Sequence, residues 1–227
     1  MKKKTKIIIA IAGVAAIIVA GLFSWRCYFG VANARDFIRA YRAYDIVSRE
    51  HEISAYVPGT EKNTARQELN AILVRVLNES VSPQDRLSFA EAGFSPLAKV
   101  RGEIDEMKEK GKETGKAVII LNNKAKDLGG MRISGKADEI IALANERIAI
   151  IREIETVSYR MNDTVSGIFK GIIKDKGELT GERIQSLNEK IPDAEKDFER
   201  LSELYRKLAE SNTEIKKAYK EFEVMAE

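Results

Sequence analysis

Apolar residues in this chain recur at steps of three and four along most of its length, the spacing that lines one face of an α-helix. Beyond Gly30 the steps run through Ala34, Phe37, Tyr41, Tyr44, Ser48, His51 and Ala55, until Pro58-Gly59 ends them. A shorter stripe of Ala65, Leu69, Ile72, Val76 and Leu77 follows Thr60 and fades near Ser80. Ser82-Pro83 reads as a helix start, a capping hydroxyl followed by proline at the first helical position. Gly93 closes that short helix, and Ser95-Pro96 restarts the chain.

From Leu97 the stripe is regular: Leu97, Val100, Ile104, Met107, Gly111, Thr114, Val118, Leu121, Ala125 and Leu128. Gly129-Gly130 breaks it. The next helix starts at Ser134, with Ile140, Ala144, Ile148, Ile151, Ile154, Ser158, Met161, Val165, Ile168 and Ile172 inward. After Gly177 and Gly181 the final stripe comprises Ile184, Leu187, Ile191, Ala194, Phe198, Leu201, Tyr205, Leu208, Asn212, Ile215, Tyr219, Phe222 and Ala226. Pro192 interrupts its backbone but not its phase, and is expected to kink the helix or begin a new one. The pattern therefore predicts helices over about 31–56, 61–80, 83–93, 96–128, 134–175 and 182–226. Val118-Ile119-Ile120-Leu121 is β-rich, but its flanks keep the helical phase and it is read as helix. The fold class expected is all-α: an elongated antiparallel bundle over 30–227 with coiled-coil-like heptads and short glycine turns.

A different pattern opens the chain. Residues 7–23 are seventeen consecutive uncharged, almost wholly apolar residues, and Lys2, Lys3, Lys4 and Lys6 stand directly before them. A spanning helix takes about 20 such residues, and Ser24, Trp25, Cys27, Tyr28 and Phe29 extend the stretch with only Arg26 charged. Residues 7–29 are accordingly expected to be a single transmembrane signal anchor, preceded by a basic cytoplasmic N-terminus over 1–6. Ile7, Ile18 and Phe23 would sit in the hydrocarbon, and Trp25 and Tyr28 in the headgroup belt. A cleaved signal peptide is the competing reading, since Ala32-Asn33-Ala34 offers a small-residue site. The length of the run and its bulky aromatic approach favour the uncleaved anchor. The lysines place the N-terminus in the cytoplasm and the bundle outside, at the plasma or inner membrane. Ala12, Ala16 and Ala20 form a small-residue ridge of the kind that lets membrane helices pack together, so a homo-oligomer is an expectation. Asn212, at a core heptad position, is a second candidate for setting register or oligomeric state.

Charge narrows the partners. Of 38 basic and 35 acidic residues, the first 26 positions hold five basic and no acidic ones, which leaves 33 basic against 35 acidic in the bundle. The basic character belongs to the anchor, so nucleic acid is not expected as a partner. Cys27 is the single cysteine, which excludes an internal disulfide and a cysteine metal cluster.

Candidate chemistry is thin. Gly130-Met131-Arg132-Ile133-Ser134-Gly135-Lys136 matches the first seven positions of a phosphate-cradling loop. Ala137 replaces the metal-binding hydroxyl, however, and a helical run rather than a strand precedes it, so it reads as a connection with Ser134 as N-cap. His51 is the single histidine; Glu50 and Glu52 adjoin it, but neighbours in sequence do not face each other on a helix. No catalytic residue, cofactor or metal ligand is assigned. Tyr41, Tyr44, Tyr205 and Tyr219 fall on inward stripes and are read as core residues with hydroxyls at the rim. The expectation is a non-enzymatic, membrane-anchored helical bundle acting as a protein-interaction or structural scaffold at the cell envelope. The alternative is a sensory bundle that holds a small molecule between its helices.

Overall fold

The computed structural model of the chain describes residues 30–51, 61–129 and 132–226. Every regular element among them is an α-helix. α1 covers residues 30–51. α2 is Glu61–Leu77, α3 Pro83–Ala92, α4 Phe94–Lys126, α5 Ser134–Lys174 and α6 Gly181–Ala226. The 41 residues of α5 and the 46 of α6 give rods of roughly 60 and 70 Å at 1.5 Å per residue. The anchor over 7–29, with Ile7, Ala12, Ala16, Ile18, Ala20, Phe23, Trp25 and Tyr28, lies outside the described residues, as does the end of the first predicted helix. Among the described residues no helix is long and apolar enough to cross a membrane.

Local chemistry explains the helix ends. Ser82 caps α3: its Oγ accepts from the Asp85 backbone N–H at 3.2 Å and donates to Asp85 Oδ2 at 2.6 Å, with Pro83 at the first helical position. One expectation needs correction. Ser134 is the first residue of α5 rather than its cap, because Ile133 occupies the cap position without a side-chain hydrogen bond. Pro192 lies inside α6 without dividing it.

The helices run antiparallel. Lys136 meets Glu221 at one end of the α5–α6 pair and Asp175 meets Arg183 at the other, while Arg101 on α4 meets Asp163 on α5. α1 lies antiparallel to both α4 and α6. The Asn33 amide donates to the Asp127 carbonyl at 2.7 Å, Lys110 pairs with Glu50 at 3.2 Å, and the Phe37 and Phe222 rings sit 4.6 Å apart. α2 takes over where α1 leaves off, pairing Arg66 with Glu103 on α4 at 3.3 Å, and α3 closes that end. One half of the bundle is therefore α1, α4, α5 and α6; in the other half α2 and α3 replace α1.

Three apolar clusters fill this frame. The first joins Phe37, Leu121, Ile140 and Phe222; the second Ile104, Met107, Ile154 and Leu204; the third Val76, Ala90, Phe169 and Ile172. A fully buried side chain of this size contributes on the order of 2–3 kcal/mol. The stripe on α4 is buried or half-buried at every expected position, and so is that on α5. On α6 the register turns. Phe198 is 65% exposed and Ile184 42%, whereas Asp197 and Leu204 are buried. Neither α2 nor α3 makes an extended interface with α6, so its first half packs chiefly on α5 and buries only the edge facing that helix.

Candidate functional site

Polar residues on and beside the inward stripes gather near one level of the bundle, about the junction of the first and second apolar clusters. α1 contributes Tyr44, Ser48 and His51, α4 contributes Thr114, α5 contributes Arg147 and Glu155, and α6 contributes Ser211 and Asn212; all are buried except Glu155, which is half-buried. Three of the helices meet here around His51. Thr114 Oγ1 lies 3.2 Å from His51 Nδ1 and also donates to the Lys110 carbonyl at 3.0 Å. His51 Nε2 faces Glu155 Oε1 at 3.7 Å. Since the threonine hydrogen is directed to its own helix, the hydroxyl accepts at His51 when Nδ1 carries the hydrogen. Gly111 makes the meeting feasible: a Cβ there would stand 3.1 Å from Glu155 Oε1 and 3.2 Å from the His51 ring. Arg147 donates from Nη2 to the Ser48 carbonyl at 3.0 Å.

A hydroxyl, an imidazole and a carboxylate in series have the composition of an acyl-transfer triad. The environment argues against that use. Thr114 and His51 are each 1% exposed, and a nucleophile needs space for a reacting atom about 3 Å away. The layer instead fixes how the helices slide against one another. The hydroxyls of Ser48 and Ser211 are buried without a hydrogen-bond partner among the described residues, at about 1–3 kcal/mol each. Such a layer costs stability and favours a unique register, as buried polar groups do in coiled coils. Asn212 belongs to this intramolecular layer, so the register it can set is that of the chain's own helices.

A second polar centre closes the far end. Arg86 on α3 is 3% exposed and donates to backbone carbonyls alone: Nε to Val76 at 3.1 Å, Nη1 to Gly177 at 2.7 Å, and Nη2 to Asn78, Glu79 and Val81 at 2.9, 3.4 and 2.8 Å. These carbonyls belong to the last turn of α2, the α2–α3 connection and the α5–α6 turn. The turn requires glycine, because Gly177 has φ +81° and a Cβ there would lie 1.8 Å from the Pro83 carbonyl oxygen.

Along the rest of the α5–α6 surface many charges are paired. A shallow surface groove of about 430 Å³ between α5 and α6 is lined by Arg160, Thr164, Asp193, Lys196, Asp197 and Arg200. Arg160 grips Asp197 through two nitrogens, and Arg200 holds Glu153 and Glu203 at 2.6 Å. Lys136 of the loop that resembles a phosphate cradle pairs with Glu139 and Glu221 at 2.5 and 2.7 Å, and Ala137 beside it is fully buried in the core. That loop is a helix connection. The Tyr41 ring stacks on Tyr219 at 3.7 Å, and burial followed by Asp45 pushes the Tyr41 phenol well above its ordinary range. Tyr159, which hydrogen-bonds Asp105, is pushed up to about 12 by burial and then by that carboxylate. Among the described residues no three His, Cys, Asp or Glu side chains converge as a metal would require.

The sequence marked His51 and Asn212 but not their partners. Glu155 and Thr114 lie 104 and 63 positions from His51; Thr114 stands on the regular α4 stripe, whereas Glu155 lies one position off the α5 stripe and carries no such signal. No family model, no curated protein and no solved structure matches this chain.

Proposed function

We propose that this protein is a non-enzymatic, membrane-anchored helical bundle that acts as a protein-interaction or structural scaffold at the cell envelope. Residues 7–29 serve as the single-pass signal anchor, with the lysines of 1–6 in the cytoplasm and the bundle on the other side. The observation that supports this reading is a pairing. A seventeen-residue apolar run stands seven residues ahead of a bundle whose interior polar groups turn onto one another and onto backbone carbonyls. Such an interior spends its polar chemistry on holding long helices in place. The closed end built on Arg86 then stands roughly 70 Å from the anchor, a stiff head at a fixed height above the bilayer. The ridge of Ala12, Ala16 and Ala20 would allow copies to associate within the membrane.

Two measurements test the reading together. The full-length chain should stay in the membrane pellet through alkaline carbonate extraction. A photo-crosslinking residue at the exposed position Val74 or Phe198 should give discrete adducts with other envelope proteins or with a second copy. A chain recovered in the supernatant removes the anchor, and a membrane-bound chain that yields no adduct from either position removes the scaffold.

A further inference from the structure

The end of the bundle nearest residue 30 has a surface chemistry of its own. It is assembled from the first turns of α1, the α4–α5 connection and the last turns of α6, as the Asn33–Asp127 hydrogen bond and the Lys136–Glu221 ion pair establish. Three large apolar side chains are exposed there: Val31 at 47%, Val224 at 75% and Met225 at 41%. The acids of this end are largely occupied. Asp36 is held by Arg39 and Lys124, Asp127 by Lys124, Glu139 and Glu221 by Lys136, and Glu223 by Arg42. Arg35, Lys126, Arg132 and Lys220 have no such partner among the described residues, against Asp138 alone of the acids there. What remains at this end is four exposed cations without an ion-pair partner among the described residues, together with three exposed aliphatic side chains.

From this we infer that the end of the bundle formed by the α1 start, the α4–α5 connection and the last turn of α6 rests on the bilayer surface, its cations on anionic headgroups and Val31, Val224 and Met225 at the interface. The inference rests on the anchor proposed above. The occupant follows from where the chain comes from. The proposed anchor ends at residue 29 and α1 begins at residue 30, and even counted from Phe23 the chain reaches at most about 25 Å when fully extended. Within that reach the first chemistry this end meets is phospholipid. Cations beside an anionic leaflet gain electrostatic attraction that falls off within a Debye length, and aliphatic side chains add burial at the headgroup boundary. Docking of this kind would hold the rod upright, whereas a tether alone would let it tilt.

The test uses the full chain in vesicles of three parts phosphatidylcholine to one part phosphatidylglycerol, in a Cys27→Ser background, so that one introduced cysteine carries an environment-sensitive fluorophore. Three positions are labelled: Ile18→Cys in the anchor, Val224→Cys at the docking end and Glu178→Cys in the α5–α6 turn at the opposite end. Val224 and Glu178 are exposed, so the fold is not at stake. The expected result is quenching of the Ile18 and Val224 labels by a spin-labelled lipid, with Glu178 unaffected. Replacing Lys126 and Arg132 by glutamine should then lower the docking equilibrium read from quenching at Val224 by about fivefold for each cation lost, and purely zwitterionic vesicles should weaken it as well. Quenching at Ile18 without quenching at Val224 overturns the docking and leaves the anchor standing. Quenching at both Val224 and Glu178 overturns it too, because the rod then lies flat. No quenching at Ile18 removes the anchor and the docking with it.

Discussion

The two halves of the bundle each bury an arginine, and they surround it differently. In the half made by α1, α4, α5 and α6, Arg147 sits in a layer of polar side chains, donating to the Ser48 carbonyl, in the layer that also holds His51, Thr114 and Glu155. In the half closed by α2 and α3, Arg86 donates to five backbone carbonyls. The difference shows what each centre is for. A layer of side chains between continuous helices selects one register out of several that the apolar stripes would tolerate. A guanidinium among carbonyls replaces the hydrogen bonds that helix ends and turns lack, so the chain cannot close without it.

The sharpest way to break this contrast is Arg86→Met. It leaves a set of buried carbonyls without donors, and the expected loss is about 3–5 kcal/mol, read from urea denaturation of the full chain in detergent by far-UV circular dichroism. Arg86→Lys should recover only part of it, because three donors on a single nitrogen cannot span carbonyls from two separate turns. If Arg86→Met costs no more than a surface change, the cradle is ornamental. Gly177→Ala comes next. The left-handed backbone and the close approach of the Pro83 carbonyl predict a loss of about 2 kcal/mol or more at the same end, again by denaturation.

In the middle layer the expected effects are smaller. Thr114→Val should cost about 1 kcal/mol, and its cost should shrink when His51 is already leucine, since the two share one contact; a double-mutant cycle measures the coupling. Costs that simply add would show that the two do not act as a unit. The smallest effect is confined to alkaline pH. Tyr159, on α5 just beyond the layer, has its phenol raised to about 12 by burial and then by Asp105. A raised acid binds its proton more tightly folded than unfolded, so its contribution is intact below pH 10. It is lost as pH climbs from about 10 toward 12. Tyr159→Phe should flatten that part of the stability profile and leave the neutral region almost unchanged. Burial raises Tyr41 and Tyr219 in the same direction, so a residual slope should persist.

Much of the fold was legible before any coordinate. On α4, residues from Leu97 to Leu128 step without a fault, and the structure covers each at least in part. The reason is that α4 and α5 are flanked on more than one side, so a stripe of ordinary width finds a partner at every position. On α6 the same rule misplaced Phe198 and Ile184. A strict seven-residue repeat drifts against 3.6 residues per turn, and the first half of α6 has chiefly one neighbour. Asp197, polar and one position off the stripe, became the buried residue because Arg160 on α5 reaches it. No periodicity carries that information. The same holds for Arg86, which reads in sequence as one more charge on a short helix.

Taken alone, the order of residues determined that this chain makes long helices, where glycine and proline punctuate them, and that the uncharged run over 7–23 departs from the amphipathic pattern of the rest. These are properties of local spacing, since a helix is closed by hydrogen bonds four residues apart. Which stripe faces which was decided only in three dimensions. There a histidine on α1 met a threonine on α4 and a glutamate on α5, and an arginine on α3 found carbonyls from two turns about a hundred positions apart. Contacts of that range depend on how rods are laid side by side, and no repeat within one rod encodes the choice of its neighbours.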